Sequence, residues 1–380
     1  MRSLAAPVAS VLVALTAIGA GPRVFAFVAL PALAAGALEH RLPRAVAAGV
    51  GVLLGVLALG AGTIADRPAL VVAGVLWLLA GIGRAWGINR GRSRRRAWTN
   101  RGLTALGAVA IAFLVVYPTL LTVGYLTKPR RQIDEAALGL PHARVAFSAS
   151  DGVRLSGWLV PSRNGAAIVL VHGGGGDRQG TIRHARMLAA AGYGVLLYDA
   201  RGRGASAGQE NAFGWQWHRD VRGAVSFLAG HGVRRIGLLG LSTGAEAVVT
   251  EAAHDPRVGA VVADGLQGRT AADAAHLPAG DRISVQPAFV VAGAEIRLAT
   301  GQHRPPPLKG LVHELARTRP LLLIGTVAFE RAFDRAYTTG TAARLWELPD
   351  TEHTGGLADR PGAYRARVLS IFDGALLSGA

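Results

Sequence analysis

The stretch Ile236-Gly-Leu-Leu-Gly-Leu-Ser242-Thr-Gly-Ala-Glu-Ala-Val-Val249 constrains the fold of this chain more than any other. An apolar run too short for a helix ends in Gly240-Leu-Ser-Thr-Gly244, and an Ala/Glu/Val segment of helical character follows. A strand, a sharp turn and a helix in that order hold a serine out at the end of a sheet, where its hydroxyl is a candidate nucleophile. The glycines on either side have a physical reason, because the strained backbone of such a serine leaves no room for side chains beside it. A second match, Gly204-Ala-Ser206-Ala-Gly208, competes. Among 51 glycines a short pattern recurs by chance, so context has to choose. Ser206 has no strand directly before it. Ser242 has both the strand and the helix, and it is the expected nucleophile.

Around that turn, residues 140–378 alternate strand and helix. Arg144–Ala149 and Val153–Val160, joined by Ser150-Asp151-Gly152, alternate like an antiparallel pair. Ala167–Val171 is a continuous apolar run, as a strand buried on both faces requires, and it ends in His172-Gly-Gly-Gly-Gly176. A helix over Thr181–Ala191 leads to a strand at Tyr193–Tyr198 and the loop Asp199-Ala-Arg-Gly-Arg-Gly-Ala-Ser206. After the helix Trp215–Ala229 come strand Arg235–Leu239, helix Ala245–Ala253 and strand Val258–Ala263, ending at Asp264. Strands at Leu321–Ile324 and Ala343–Leu348 and a helix at Tyr364–Leu377 complete the domain. This order predicts a mostly parallel sheet with helices on both faces. Between Gly265 and Arg319 the rhythm fails in a proline-bearing insertion, residues 265–319, expected to act as a lid over the carboxyl ends of the strands.

Together these motifs resemble the α/β-hydrolase family over residues 140–378: His172–Gly176 after the third strand, Asp199–Ser206 after the fourth, Gly240–Gly244 after the fifth, and a histidine after the last. The resemblance implies an eight-stranded sheet and a serine, acid, histidine triad in that chain order. Of eleven histidines, His353 alone follows the final strand in a polar loop, where the family places its base. His172 sits in the glycine loop, where an imidazole more often braces backbone. His184, His218, His231 and His254 fall in or beside helical segments and read as surface, and His276, His303 and His313 lie in the insertion. The acid departs from the family pattern, since Ala328 stands where an Asp is usual. Glu330 is the nearest carboxylate and glutamate is accepted in this role. Asp264 is the alternative acid, and Asp334 lies a turn into the following helix.

The tetrahedral intermediate of acyl transfer needs N–H donors aimed at its oxyanion. The resemblance assigns these to Thr243, after the nucleophile, and to Gly173 or Gly174 in the glycine loop. Asp199, Arg201 and Ser206 read as structural, a loop pinned by charge and turn hydrogen bonds. Glu246 reads as a helix-dipole residue, with a polar group under the site as the other reading. No phosphate loop, His-Glu-x-x-His or other metal-ligand cluster is present in the sequence, so no cofactor or metal is implied.

Residues 1–131 differ in character. Apolar segments at about 4–20, 24–38, 45–62, 68–83 and 103–126 are cut by arginine-bearing joints, and the longest suffices for a membrane span. Residues 1–20 carry only Arg2 as a basic start and further spans follow, which favours retained helices over a signal peptide. The number of spans, four or five, stays open. Arg90, Arg92, Arg94, Arg95, Arg96 and Arg101 mark one joint as cytoplasmic, which puts the C-terminal domain outside the cell membrane. The net charge of +17 comes almost wholly from arginine spread along the chain, without a nucleic-acid-binding module. With no cysteine there is no disulfide framework. The expectation is a membrane-anchored serine hydrolase, most simply a carboxylic-ester hydrolase of a small-molecule or lipid-like acyl substrate. A peptidase or acyltransferase on the same triad, and a catalytically silent module of the same fold, are the alternatives.

Overall fold

The structure, a computed structural model, describes residues 130–208 and 213–378 continuously, and before them only residues 47–52, 54, 77, 81–82, 118–119 and 122. The segments 4–20 and 24–38 therefore lie outside the described residues, and the other three proposed spans do so for most of their length. Among the described residues no helix is long and apolar enough to cross a membrane. The chain divides into two compact units, Met1–Pro129 with Pro287–His303, and Arg130–Gln286 with Arg304–Ala380.

In the first unit Ala47, Ala48 and Trp77 are buried. A Cβ on Gly81 would come within 2.7 Å of the Val52 backbone nitrogen, so these segments meet backbone to backbone. Such close approach is what small residues allow between apolar helices. Thr119 donates to the carboxylate of Glu295.

The second unit is built on one eight-stranded sheet in the order β1-β2-β4-β3-β5-β6-β7-β8. The strands are β1 Ala143–Ser148, β2 Arg154–Val160, β3 Ala166–Val171, β4 Gly194–Tyr198, β5 Arg235–Leu241, β6 Val258–Asp264, β7 Leu321–Gly325 and β8 Arg344–Glu347. β2 pairs antiparallel with β1 and with β4, and every other pairing is parallel. Between and after them come α1 Ile182–Ala190, α2 Trp217–Gly230, α3 Thr243–Ala252, α4 Ala271–Ala274, α5 Ala279–Thr300 (whose part from Pro287 on belongs to the first unit), α6 Leu308–Thr318, α7 Ala328–Thr338, α8 Gly356–Asp359 and α9 Pro361–Leu376.

Burial explains why the central strands read as unbroken apolar runs. All of β3, β4 and β7 is buried, because helices cover both faces of a parallel sheet. Each fully buried Val, Leu or Ile there contributes roughly 1.5–3 kcal/mol. β1 lies at the edge, and its alternating exposure matches a strand with one wet face. The insertion contains three helices, α4, α5 and α6. Arg269 and Asp273 fasten its ends: Arg269 donates to the Pro306 carbonyl at 2.9 Å and Asp273 accepts from the Leu308 N–H at 2.6 Å.

Candidate active site

Ser242 sits between β5 and α3 with φ 54° and ψ −120°, a backbone conformation that costs a non-glycine residue about 1–3 kcal/mol. The surroundings enforce it. Its N–H donates to the Asp264 carbonyl at 2.7 Å, and the Ala245 N–H returns to the Ser242 carbonyl at 2.7 Å. A Cβ on Gly240 would lie 2.2 Å from the Gly244 carbonyl oxygen, and one on Gly244 would lie 2.4 Å from that of Val171. The turn therefore closes only with glycine at both places.

Ser206, in the second match to the pattern, has a different position. It is fully buried, donates its hydroxyl to the Asp199 carbonyl at 2.6 Å and accepts from the Ser156 N–H at 2.9 Å. Both capacities of the hydroxyl are used inside the protein. It fastens a loop and faces no substrate.

His353 follows β8 and stands 40% exposed, with its Nδ1 hydrogen-bonded to Oε1 of the fully buried Glu330. Glu330 occupies the first turn of α7, three residues after Val327. Its other oxygen accepts from the Thr326 N–H at 3.0 Å, the Thr326 hydroxyl at 2.8 Å and the Val327 N–H at 3.3 Å. The residue that caps the helix start is thus the one that holds the imidazole. Burial would raise the Glu330 carboxyl, but the bonds from His353 and Thr326 hold it below the usual range, so it is an anion. Burial would lower the His353 imidazole, and the Glu330 anion reverses this and raises it.

Asp264 is also fully buried, and its Oδ2 accepts from the Tyr364 hydroxyl at 2.7 Å. Burial and the nearby Glu330 anion push its carboxyl up to about 7, against the opposing effect of that hydroxyl. The backbone of β6 joins the two halves of the site. Asp264 offers its carbonyl to the Ser242 N–H, while a Cβ on Gly265 would lie 2.9 Å from Cε1 of His353. Asp334, deeper in α7, has both carboxyl oxygens buried without a hydrogen-bond partner. Burial, with Glu330 and Asp264 nearby, raises its carboxyl far above the usual range and keeps it neutral.

Of the proposed oxyanion donors, Thr243 is the first residue of α3, whose leading N–H groups have no partner within the helix. Gly173 lies against the serine, for a Cβ placed on it would be 3.4 Å from Ser242 Cβ and 4.0 Å from Oγ. Gly174 is buried beside it. His172 is buried and bonded to backbone on both ring nitrogens, so it braces the loop.

Two readings of the sequence need correction. His184 is buried, 3.2 Å from the Tyr364 hydroxyl, because the inner face of α1 packs on the sheet. Glu246 is a buried polar group on α3, where desolvation outweighs the charge of Arg269 and pushes its carboxyl up to about 8. A position one turn into a helix that is buried along its whole length gave the signal for the second. Among the described residues no three His, Cys, Asp or Glu are grouped to hold a metal ion.

With the sheet order, the strained serine after β5 and the histidine after β8 in place, likeness to solved structures decides the architecture. An esterase of Pyrococcus furiosus superposes with a TM-score of 0.52 at 20% identity, covering 65% of this chain and 97% of that one. The chain has the α/β-hydrolase fold. The α/β-hydrolase GrgF of a Penicillium species superposes with a TM-score of 0.50 at 20% identity, over 63% of this chain and all of that one. In sequence, residues 162–266 match the family described as serine aminopeptidase, S33, a segment that contains Ser242 and stops before Glu330 and His353. An uncharacterized protein of Mycobacterium tuberculosis is 31% identical over 153 residues, 38% of this chain and 54% of that protein. A polyketide transferase of a Penicillium species is 32% identical over 131 residues, 33% of this chain and 45% of that protein. The alignments thus span about half the length of these curated relatives. Hydrolase chemistry is the common ground of the family match and the esterase neighbour.

Proposed function

We propose that this α/β-hydrolase-fold protein is a serine hydrolase of carboxylic esters, held at a membrane by its apolar first third. The observation that carries the reading is the conjunction at the end of β6 of Ser242, in its strained turn, with His353 on the buried Glu330 anion. Glu330 accepts a hydrogen bond from the Nδ1–H of His353, which fixes the tautomer and leaves Nε2 as the base. Ser242 Oγ attacks the acyl carbon and passes its proton to Nε2 of His353. The oxyanion that forms faces the N–H groups of Thr243 and of the Gly173–Gly174 backbone. The tetrahedral intermediate collapses as the imidazolium returns its proton to the leaving alkoxide, and an alcohol departs. Water, activated by the same histidine, then releases the acid from the acyl-enzyme.

The test is labelling of the full-length protein with a fluorophosphonate probe, beside Ser242→Ala. Labelling of the parent and none of the variant is expected. A folded parent that takes no label would overturn the reading. Acyl transfer to an acceptor other than water is the second reading, favoured by the likeness to the polyketide transferase. Partition of the acyl group between water and an added alcohol separates the two, since a hydrolase yields free acid even with the acceptor present.

A further inference from the structure

The loop that follows β4, with its own unused serine motif, grips the glycine loop from behind at three points. At the start of the glycine loop, His172 Nε2 lies 3.0 Å from the Ala200 N–H and Nδ1 lies 2.8 Å from the Gly173 carbonyl. An amide N–H can only donate and a carbonyl can only accept, so Nε2 is the acceptor and Nδ1 carries the proton. Burial keeps this ring neutral, lowering its imidazole against the pull of its neighbours. At the far end, Asp199 accepts from the Arg178 N–H at 2.9 Å and from the Arg178 guanidinium at 2.8 Å, with both side chains almost fully buried. Between them, Arg203 donates from Nε to the Gly176 carbonyl and from a terminal nitrogen to the Gly175 carbonyl, each at 3.1 Å. Arg203 is 4% exposed, although it is a charged residue on a connecting loop.

The gripping loop is itself rigid. Asp199 Oδ2 also accepts from the Ala205 N–H at 2.8 Å, and Gly204, at φ 43°, lies so near that a Cβ on it would be 2.1 Å from that oxygen. The grip matters because four consecutive glycines, residues 173–176, have more backbone freedom than any other residue type. An oxyanion donor accelerates acyl transfer only if it is already aimed when charge develops. Holding the Gly173 carbonyl fixes the plane of the peptide unit whose N–H belongs to Gly174. Holding the Gly175 and Gly176 carbonyls, two and three residues further on, restrains the rest of the loop and with it the turn of that unit.

We propose that Arg203 is a positioning residue that keeps the glycine loop beside Ser242 in its catalytic shape. The role rests on the serine-hydrolase reading above. Arg201 provides the comparison, since it lies two residues away and is committed elsewhere. It binds Asp220 and Asp151, and no bond from it reaches the glycine loop.

The experiment compares full-length parent, Arg203→Ala, Arg203→Lys and Arg201→Ala in hydrolysis of a p-nitrophenyl ester, in fluorophosphonate labelling rate and in hydrogen exchange. Arg203→Ala should lower kcat roughly 10- to 100-fold with KM within two-fold of the parent, and slow labelling in parallel. Exchange over residues 173–177 should quicken while the central strands stay protected. Arg203→Lys, which keeps the charge and loses the fork, should fall between and carries the test if the alanine variant does not fold. Arg201→Ala should lower Tm and leave kcat of the folded protein within two-fold. A folded Arg203 variant with parental kcat and parental exchange in the glycine loop overturns the proposal. A parent that neither labels nor turns over defeats the hydrolase reading instead, while quickened exchange in Arg203→Ala would still show the grip.

Discussion

Two loops of this protein carry the same five-residue pattern and differ in almost everything else. In Gly240–Gly244 the serine is forced to a positive φ by a strand behind it, a helix ahead of it and backbone within 2.4 Å of each glycine's missing Cβ. In Gly204–Gly208 the serine is sequestered, its hydroxyl bonded to Asp199 and Ser156, and the neighbouring Gly204 leaves room for a carboxylate. One loop stores strain and presents a hydroxyl. The other buries its hydroxyl between two backbone partners. The difference teaches that a glycine-flanked serine is a statement about crowding, and that what does the crowding decides the role.

The sharpest way to break that contrast is to exchange the losses. Ser242→Ala should reduce kcat by roughly 10⁴-fold or more, because nucleophile, base and acid act as a unit. Ser206→Ala should leave kcat within a few-fold and lower stability by about 1–3 kcal/mol, read as a denaturant midpoint, since two buried partners lose their bond. Loss of turnover in Ser206→Ala at full stability would reverse the assignment.

Next in size is the pair of carboxylates. Glu330→Gln keeps the shape but removes the anion that fixes the imidazole, and a fall of about 10³- to 10⁴-fold in kcat is expected. Asp264→Asn, whose carboxyl bonds Tyr364, should cost under ten-fold. A larger effect at Asp264 than at Glu330 would move the acid to β6.

The pH profile gives a smaller and more specific signal. A base must be unprotonated to work, and the Glu330 anion raises the His353 imidazole above its ordinary value near 6.5. The acid limb of kcat/KM should therefore have its midpoint above pH 6.5 in the parent, with activity rising as pH rises. In Glu330→Gln the anion is gone and the residual activity should show a lower midpoint. An unshifted limb in that variant would mean another group titrates.

The smallest effect is stability at the strained serine. Ser242→Gly should be about 1 kcal/mol more stable than Ser242→Ala, because glycine accepts φ 54° and alanine keeps the strain. Equal thermal midpoints would indicate that the turn is not strained.

Much of the fold was legible because parallel strands buried on both faces leave continuous apolar runs. β3, β4 and β7 lie within a residue of the segments that composition marks out, and β1 alternates as an edge strand must. The serine turn was legible for a local reason, the glycines on either side of Ser242. Other features were hidden by their dependence on distance. His184 sits on a helix whose buried face is set by packing, so it does not look different from a surface residue in sequence. Arg203 shows nothing in sequence of its two carbonyl partners 27 and 28 positions away. Glu330 meets His353 from the first turn of α7, a pairing that the sequence shows only as the nearest carboxylate to Ala328.

What the sequence determined by itself is local in origin: the strand rhythm, the glycine-flanked serine, the polar histidine loop, and an apolar first third unlike the rest. These follow from the periodicity and crowding of neighbours along the chain. What only the tertiary structure decided is which groups share a hydrogen bond. Glu330 meets His353, Asp264 meets Tyr364, and Ser206 meets the Ser156 N–H because sheet order and helix packing bring residues far apart in the chain to within 3 Å. Hydrogen bonds are short-ranged and directional, so a carboxylate's role is fixed by its partner and not by its place in the sequence.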